Sequence, residues 1–346
     1  MLCPSRCLAF VSAILSATVL SAMAMATAQA DPIADFYKEK TVTIVVATGP
    51  AGSYSLFAQL MMRHIQDQIP GKPKLVPNYM PGGGGTKAAN YLYNVAQKDG
   101  SAIGMLLDYT VNAQLLRPTG VKYQAERFNW IGRFIPSNPV IVVMRESGVR
   151  TVEDTTKREL VMASTGKAAP SYINMSIMNA LFGTKFKIIP GYKDRSTVES
   201  AMERGEVSGS SAGWENWTSV HQDWIDSGRI IPLVQVGLTR LRDLPKVPTL
   251  IELAKNDADR KLLEVISSGG ALGRSVSAPP DVPAARVQAL RRAFDAMVHE
   301  PEFIADAKKR RIDVEPETGQ WLQDIVSSAV AVPPAVIGRA RALFGS

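Results

Sequence analysis

The chain has 346 residues, of which 46% are hydrophobic and 21% are charged, and its formal net charge at pH 7 is +7. This length allows two lobes of ordinary domain size, and the modest positive excess suits either an anionic ligand or a solvated surface. The two cysteines, Cys3 and Cys7, lie at the N-terminus. The rest of the chain therefore excludes a disulfide framework, a cysteine-ligated metal and a thiol nucleophile.

Residues 1–30 have the order of regions typical of a secretory signal peptide. Arg6 is the only charge in this segment, residues 8–25 are apolar or small, and Ala28-Gln29-Ala30 is an A-x-A cleavage pattern. A membrane anchor is the alternative, but serines and a threonine interrupt the apolar run. We predict cleavage near Ala30, a mature chain that begins at Asp31, and a soluble periplasmic protein.

Beyond residue 40 the chain alternates short apolar runs with amphipathic stretches, which predicts an α/β fold. Residues 41–47 are a β-branched run typical of a buried strand, and the loop at 49–52 ends it. A helix from Ser53 completes a strand–loop–helix unit, whose loop lies at the ligand-binding end of a parallel sheet. The next predicted elements are an extended segment at 74–77, a glycine loop at 82–85, a helix through 88–93 and a strand at 101–107.

The same pattern begins again after residue 138 and predicts a second lobe. Its predicted elements are strands at 140–144, 160–164, 186–189 and 230–236, a helix through 173–181 closed by Gly183, and a helix through 198–202 ended by Gly205. A strong last helix should be capped by Asp281, with Pro283 in its first turn. We predict a first lobe of residues 31–137 with about 264–346, and a second lobe of residues 138–263. Spacing alone does not assign the C-terminal segment to a lobe.

Four segments, taken together and in order, resemble one known family. The segment PGGGGTKAANYLYNVAQKDG at 81–100 is similar to the central signature of the solute-binding receptors of tripartite tricarboxylate transporters, also called the Bug family. GY at 191–192 followed by AMERGEV at 201–207 resembles the second signature, and LPKVPTL at 244–250 resembles the third. The last helix with PEF at 301–303 is similar as well, so the resemblance covers nearly the whole mature chain.

The resemblance implies a type II periplasmic-binding fold, in which two α/β lobes enclose a ligand cleft. It also implies that the chain binds a small organic acid, such as a di- or tricarboxylate, an acidic amino acid or an aromatic acid. The chain would deliver this ligand to the membrane subunits of the transporter. We expect a monomer without enzymatic activity, cofactor, metal or nucleic-acid partner.

Family members hold the carboxylate largely with loop amides and hydroxyls, and the loops of this chain suit that role. Glycines let backbone N–H groups approach an anion, and the start of a helix presents unpaired donors. The predicted ligand-binding residues are Gly49, Gly52, Ser53, Tyr54, Ser55, Gly83, Gly84, Gly85, Thr86, Ser164, Thr165, Lys167, Ser171, Tyr172 and Trp214. Ser55 stands where the family commonly has an aspartate, which disfavours an amino-acid ligand. Lys167 either pairs with the carboxylate or is a surface lysine, and Trp214 either walls the cleft or packs at its edge with Trp217.

Two other functions are compatible with parts of the sequence. The first is an anion receptor of an ABC importer or a sensor system, which would share the fold and the anion-binding loops. The second is a serine hydrolase, because the segment 209–213 satisfies G-x-S-x-G, with Ser211 as the nucleophile and His221 or His299 as its base. We rank the hydrolase last, since only a short strand precedes the motif.

Overall fold

The computed structural model describes residues 31–50, 53–167, 169–310 and 312–343, and these residues form two β-sheets with helices on their faces. The predicted signal peptide and Gly52 lie outside the described residues, so cleavage near Ala30 and the role of Gly52 stay predictions.

The strands and helices follow one another along the chain much as the hydrophobic pattern predicts. The strands are β1 (Thr41–Val46), β2 (Lys74–Tyr79), β3 (Ala102–Met105), β4 (Asn129–Arg133), β5 (Pro139–Met144), β6 (Leu160–Ala163), β7 (Phe186–Ile189), β8 (Gly209–Gly213), β9 (Ile230–Gln235), β10 (Ser275–Ala278) and β11 (Glu317–Thr318). The helices are α1 (Pro32–Tyr37), α2 (Ser53–Ile65), α3 (Thr86–Asn94), α4 (Thr110–Leu116), α5 (Asp154–Lys157), α6 (Pro170–Ile177), α7 (Arg195–Glu203), α8 (Trp214–Val220), α9 (Gln222–Asp226), α10 (Asp257–Leu272), α11 (Ala284–Val298), α12 (Pro301–Lys309), α13 (Gly319–Val330) and α14 (Pro334–Leu343).

The first sheet has six strands in the order β11-β4-β10-β3-β1-β2. β1 pairs in parallel with both β2 and β3, whereas β10 runs antiparallel between β3 and β4. Val42, Ile44 and Val45 of β1 are fully buried, because helices cover both faces of this sheet. The β-branched run at 41–47 therefore forms the buried parallel strand that the sequence predicts.

An aromatic cluster fixes three helices to one face of the first sheet. The ring of Phe134 lies 5.5 Å from that of Phe57 on α2, 4.8 Å from that of Phe294 on α11 and 5.9 Å from that of Phe303 on α12. All four rings are buried, and burying each contributes about 2 kcal/mol to stability. This packing sets the position of α2, whose first residues face the second sheet.

The second sheet has five strands in the order β7-β6-β8-β5-β9. β6 is parallel to β7 and β8, whereas β5 is antiparallel to β8 and β9. Residues 140–143 of β5 are fully buried. A Cβ atom at Gly209 would collide with the carbonyl oxygen of Val142, so close pairing of β8 with β5 requires glycine there.

The chain crosses between the sheets twice, between β4 and β5 and again between β9 and β10. The segment after the second crossing returns to the first sheet, where β10 and β11 both pair with β4. Helix α10 runs without a break across residue 264 and packs on α4, α13 and α14. The lobe limits stay a prediction, and we propose that the second limit falls before α10 rather than within it.

The prediction that Asp281 caps the last strong helix was wrong. α11 begins at Ala284, its N-cap is Pro283, and no side chain accepts a hydrogen bond from its first turn. The carboxylate of Asp281 instead pairs with Lys98 at 2.9 Å and Arg127 at 3.3 Å. These contacts attach the residues before α11 to the first lobe, and they hold the Asp281 carboxylate away from the amides of the helix.

Within the described ranges, no single helix is long and apolar enough to cross a membrane. α13 and the segment Pro334–Ala342 reach that length and apolarity only when taken together, and they are bent by 79° at their junction.

Candidate functional site

A cavity of about 270 Å³ lies between the two sheets. The first-sheet side contributes Tyr54, Leu107, Asp108 and Arg274, and the second-sheet side contributes Thr165, Ser171, Arg195, Ser211 and Glu215. A cavity slightly below the usual range for drug-sized ligands suits a small molecule. The cavity lies between the lobes, and a type II periplasmic-binding fold is expected to bind its ligand there.

Arg274 is the most heavily paired side chain of this cavity. It precedes β10, is only 3% exposed, and its Nη1 lies 3.3 Å from Asp108 Oδ2. Its Nη2 pairs with Glu215 across the lobes and donates to Ser53 Oγ at 3.2 Å, while the guanidinium covers the ring of Tyr54. Burial lowers the pKa of Arg274, but the surrounding acidic groups outweigh it and the net shift is upward. Arg274 is therefore charged and largely neutralised by two carboxylates.

Arg195 approaches the same cavity from the second lobe. It is the first residue of α7, and its Nε donates to Glu199 Oε1 at 2.7 Å. The guanidinium stacks on the buried ring of Trp217 at 3.9 Å, and its Nη1 makes only two long contacts of 3.4 Å with Ser210 Oγ and the Ser211 carbonyl. The side chain as a whole is 27% exposed, yet its Nη2 is buried and finds no acceptor among the described residues.

Hydroxyl groups from the loop between β6 and α6 line the wall beside Arg195. Thr165 and Ser171 both face the cavity. The buried Ser164 fixes this loop, because its Oγ lies 2.8 Å from Ser171 Oγ and donates to the Gly166 carbonyl at 3.1 Å. Ser164 thus supports the wall, whereas Thr165 and Ser171 form it.

The structure brings some of the predicted ligand-binding residues together. Tyr54, Thr165 and Ser171 line the 270 Å³ cavity, and the Tyr54 hydroxyl accepts a hydrogen bond from the Asp108 N–H at 2.9 Å. Ser53 and Trp214 line a second cavity of about 620 Å³ between the lobes, which shares Glu215 with the first. These five positions therefore border the space between the sheets.

The other predicted positions do not line either of these two cavities. They are Gly49, Ser55, Gly83, Gly84, Gly85, Thr86, Ser164, Lys167 and Tyr172. Ser55 is buried inside the first lobe, where its Oγ lies 3.1 Å from the Tyr79 hydroxyl. Lys167 is exposed on the loop between β6 and α6. A direct role of these residues in ligand binding stays a prediction.

The glycine loop at 82–85 has a conformation that other residues rarely adopt. All four glycines have positive φ angles, between 58° and 128°. A Cβ atom at Gly85 would lie 2.8 Å from the side chain of Leu107, which lines the smaller cavity, whereas one at Gly84 would contact nothing. The backbone of Gly85 therefore leaves no room for a side chain beside Leu107, which lines the cavity.

The G-x-S-x-G segment is part of a strand and not a turn. Ser211 lies in the middle of β8 opposite Ile141 of β5, whereas a nucleophile elbow places its serine on a sharp strand-to-helix turn. His221 stacks on Trp224 and lies 3.1 Å from Glu199, and His299 contacts the Asp295 carbonyl. The motif thus lacks the geometry on which the hydrolase interpretation depends.

Sequence reasoning missed the four charged residues of the cavity, which are Asp108, Arg195, Glu215 and Arg274. Only Arg195 carried a local signal. A cation in the first turn of a helix opposes the helix dipole, and such a local conflict is typical of functional positions. Arg195 lies between the two parts of the second signature, at 191–192 and 201–207, and belongs to neither.

Comparisons with known proteins agree with this architecture. Residues 58–340 match the family described as Tripartite tricarboxylate transporter family receptor, TctC. A sequence comparison with curated proteins gives no match. Among solved structures, a TctC solute binding protein from Polaromonas superposes with a TM-score of 0.66 at 15% identity, covering 88% of this chain and 99% of its own.

Two further structures are similar at comparable levels. The periplasmic binding protein BugD has a TM-score of 0.64 at 19% identity, covering 89% of this chain and 98% of its own. Rpa4515 from R. palustris, solved with adipate, has a TM-score of 0.61 at 18% identity, covering 88% and 97% respectively. These likenesses confirm the predicted two-lobe periplasmic-binding fold. The family match extends over most of the described chain, and the protein therefore belongs to the receptor family of the tripartite tricarboxylate transporters.

Proposed function

We propose that this protein captures a small organic carboxylate in the 270 Å³ cavity and delivers it to the membrane subunits of a tripartite tricarboxylate transporter. The observation that carries the proposal is the lining of this cavity. Arg195, Thr165 and Ser171 contribute charged and hydroxyl donors from one lobe, and Arg274 and Tyr54 face them from the other. Charged and hydroxyl donors that converge on one cavity can bind a carboxylate by charge-assisted hydrogen bonds.

Family membership supports the class of ligand and the partner. Receptors of this family bind small carboxylates and work with membrane transporter components, and one relative of the same fold was solved with adipate. Di- and tricarboxylates and aromatic acids remain the candidate ligands. We propose a periplasmic monomer, formed after cleavage near Ala30, that binds and releases its ligand without catalysing a reaction on it.

Titration with matched acids and esters tests the proposal. The mature protein is refolded to remove trapped ligand, and its affinity for mono-, di-, tri- and aromatic carboxylates is measured by calorimetry after a thermal-shift screen. We expect at least one acid to bind and its fully esterified methyl ester to bind at least about tenfold more weakly. The ester has no anionic oxygen to accept hydrogen bonds from the charged donors. Binding of ester and acid with equal affinity, or of no acid in the series, contradicts the proposed function.

A further inference from the structure

The Nη2 atom of Arg195 is a buried hydrogen-bond donor without an acceptor among the described residues. A charged donor left unpaired in this way is costly, because burial removes its hydrogen bonds to water and no protein acceptor replaces them. The residue carries a second cost, because its positive charge stands at the first position of α7, where the helix dipole favours negative charge. Neither cost is explained by packing of the second lobe.

The structural contacts of Arg195 use only part of its guanidinium. Nε is directed to Glu199, and the flat face lies on Trp217. Those two contacts would suffice to hold a structural arginine in place. The Nη edge of the guanidinium is not needed for these contacts. Among the described residues, Nη1 makes two long contacts and Nη2 makes none, and the side chain lines the cavity between the lobes.

The charges of the cavity lining limit which ligands the Nη edge of Arg195 can bind. Among the described residues, four charged side chains line the cavity, and they are Asp108, Arg195, Glu215 and Arg274. Both Nη groups of Arg274 are already paired with the two carboxylates, although its Nε has no described acceptor. The lining is therefore neutral in sum, Glu199 adds a negative charge behind Arg195, and one cationic edge is left for an incoming anion.

We infer that Arg195 binds the carboxylate of the ligand through its Nη edge, and that the ligand is a monocarboxylate with an uncharged body. This inference rests on the proposed function and narrows its ligand class. The hydroxyls of Thr165 and Ser171 lie on the same wall and complete the carboxylate subsite, while Leu107, Pro139 and Ala212 offer apolar contacts to the body. A second carboxylate would enter a cavity whose wall already holds the carboxylates of Asp108 and Glu215, and their repulsion would oppose it.

Matched pairs of a monocarboxylate and a dicarboxylate test how many carboxylates the ligand carries. Butanoate is compared with succinate, hexanoate with adipate and benzoate with phthalate, each titrated into the stripped protein by calorimetry at pH 7. We expect the monocarboxylate of the best-binding pair to bind at least about tenfold more tightly than its dicarboxylate. A tighter dicarboxylate in that pair overturns the inference and leaves the proposed function intact. No binding by any of the six also overturns the inference, whereas the proposed function fails only if no acid of the wider mono-, di-, tri- and aromatic series binds.

Variants of Arg195 test the contact itself. In Arg195→Gln, the affinity for the best monocarboxylate should fall about 30-fold, whereas the affinity for its primary amide should change less than about threefold. Arg195→Lys should recover only part of the loss, because an ammonium cannot offer two parallel donors. The control is Arg204→Gln, an exposed arginine just after the same helix, which should change neither affinity. A merely structural role predicts equal losses for acid and amide, and that result would overturn the assignment.

Folding of the variant is checked independently. Arg195→Gln removes the arginine partner of the buried Glu199, which among the described residues keeps only its contact with His221. The double variant Arg195→Gln/Glu199→Gln therefore removes both charges together. The acid-specific loss should persist in the double variant with a melting temperature close to that of the wild type. Recovery of acid affinity in the double variant would show that the buried Glu199 charge, and not a lost carboxylate contact, caused the defect.

Discussion

Arg274 and Arg195 face one cavity from opposite lobes, and their surroundings differ in the balance of charge. Arg274 meets two carboxylates, a hydroxyl and an aromatic face, and it is almost completely buried. Arg195 has one carboxylate and one aromatic face, and its Nη2 has no described acceptor. The first residue holds two lobes together, whereas the second keeps hydrogen-bonding capacity that the protein does not use for its own structure.

The two arginines of one cavity have different roles, since one stabilises the folded protein and the other is available to bind a ligand. A buried arginine with its carboxylates is costly to break, because removal of one partner leaves uncompensated charge. An arginine with an unpaired donor is costly to keep, and a ligand that fills the gap recovers that cost on binding. Stability should therefore depend mainly on Arg274, and ligand affinity mainly on Arg195.

The largest effect on stability is expected from Arg274→Gln. The substitution leaves Asp108 and Glu215 facing each other without a counterion, and the free energy of unfolding should fall by about 3 to 5 kcal/mol. Urea denaturation followed by circular dichroism measures the change. Arg242→Gln serves as a control, since Arg242 pairs with Asp313 across the lobes but both side chains are more than 70% exposed. A loss as small as that of the control would show that Arg274 does not hold the lobes.

The glycine loop next to Leu107 should give the second-largest effect. Gly85→Val forces a β-branched residue to positive φ and into contact with Leu107, which together should cost about 2 to 4 kcal/mol. Gly84→Val has only the backbone cost, about 1 to 2 kcal/mol, because nothing lies near its Cβ position. Urea denaturation of both variants measures the difference.

Calorimetric titration of the same two glycine variants separates packing from direct contact with the ligand. We expect Gly85→Val to weaken carboxylate binding through Leu107 and Gly84→Val to bind normally. A stable Gly84→Val protein that has lost all affinity would instead place the ligand on the glycine loop, as the sequence predicts.

Glu215→Gln should change the ligand preference, and it should destabilise the protein less than Arg274→Gln does, because Arg274 keeps its pair with Asp108. The amide keeps the shape of Glu215 but removes one negative charge from the cavity wall, where Glu215 acts on both arginines. The affinity for a dicarboxylate should rise about fivefold relative to its matched monocarboxylate, which corresponds to about 1 kcal/mol. Calorimetry with hexanoate and adipate measures the ratio. An unchanged ratio would show that the acidic wall does not oppose a second carboxylate.

The sequence predicts the fold well because the signals for its elements are local. The buried runs of β1 and β5 are continuous, and the glycines at 82–85 have the positive φ angles that such a run indicates. Gly183, in the left-handed region, ends the π-helical turn Met178–Phe182 that continues α6. The cap at Asp281 failed because a carboxylate near a helix start can also pair with distant cations, here Lys98 and Arg127.

The charged residues of the cavity were harder to predict, because their partners are distant in sequence. Arg274 lies 166 residues from Asp108 and 59 from Glu215, and no pattern in the chain connects these positions. The family resemblance predicts ligand contacts from glycines and hydroxyl groups. Arg195 lies outside the family motifs, so the resemblance does not indicate it, and its only signal in the sequence is a positive charge at the start of a helix.

The smallest predicted effect concerns Asp194, the residue that caps α7 immediately before Arg195. Its carboxylate accepts hydrogen bonds from the Thr197 hydroxyl, the Thr197 N–H and the Ser196 hydroxyl, and these lower its pKa from 3.8 to about 2. A group with a depressed pKa in the folded state contributes stability above its unfolded pKa and loses it as the pH falls through the folded value. The stabilisation should therefore be complete above pH 4 and disappear between about pH 4 and 2.

The variant Asp194→Asn isolates this contribution, because asparagine retains a capping oxygen without the charge. The difference in unfolding free energy between wild type and variant should be small and constant from pH 5 to 7, and it should shrink steadily below pH 4. Urea denaturation at several pH values measures it, with the exposed Asp67→Asn as a control for general charge effects. Carboxylate affinity at pH 7 should change little, because the cap fixes the helix start and Arg195 makes the contact. A variant that matches the wild type in stability at pH 7 but binds tenfold more weakly would instead assign Asp194 to recognition.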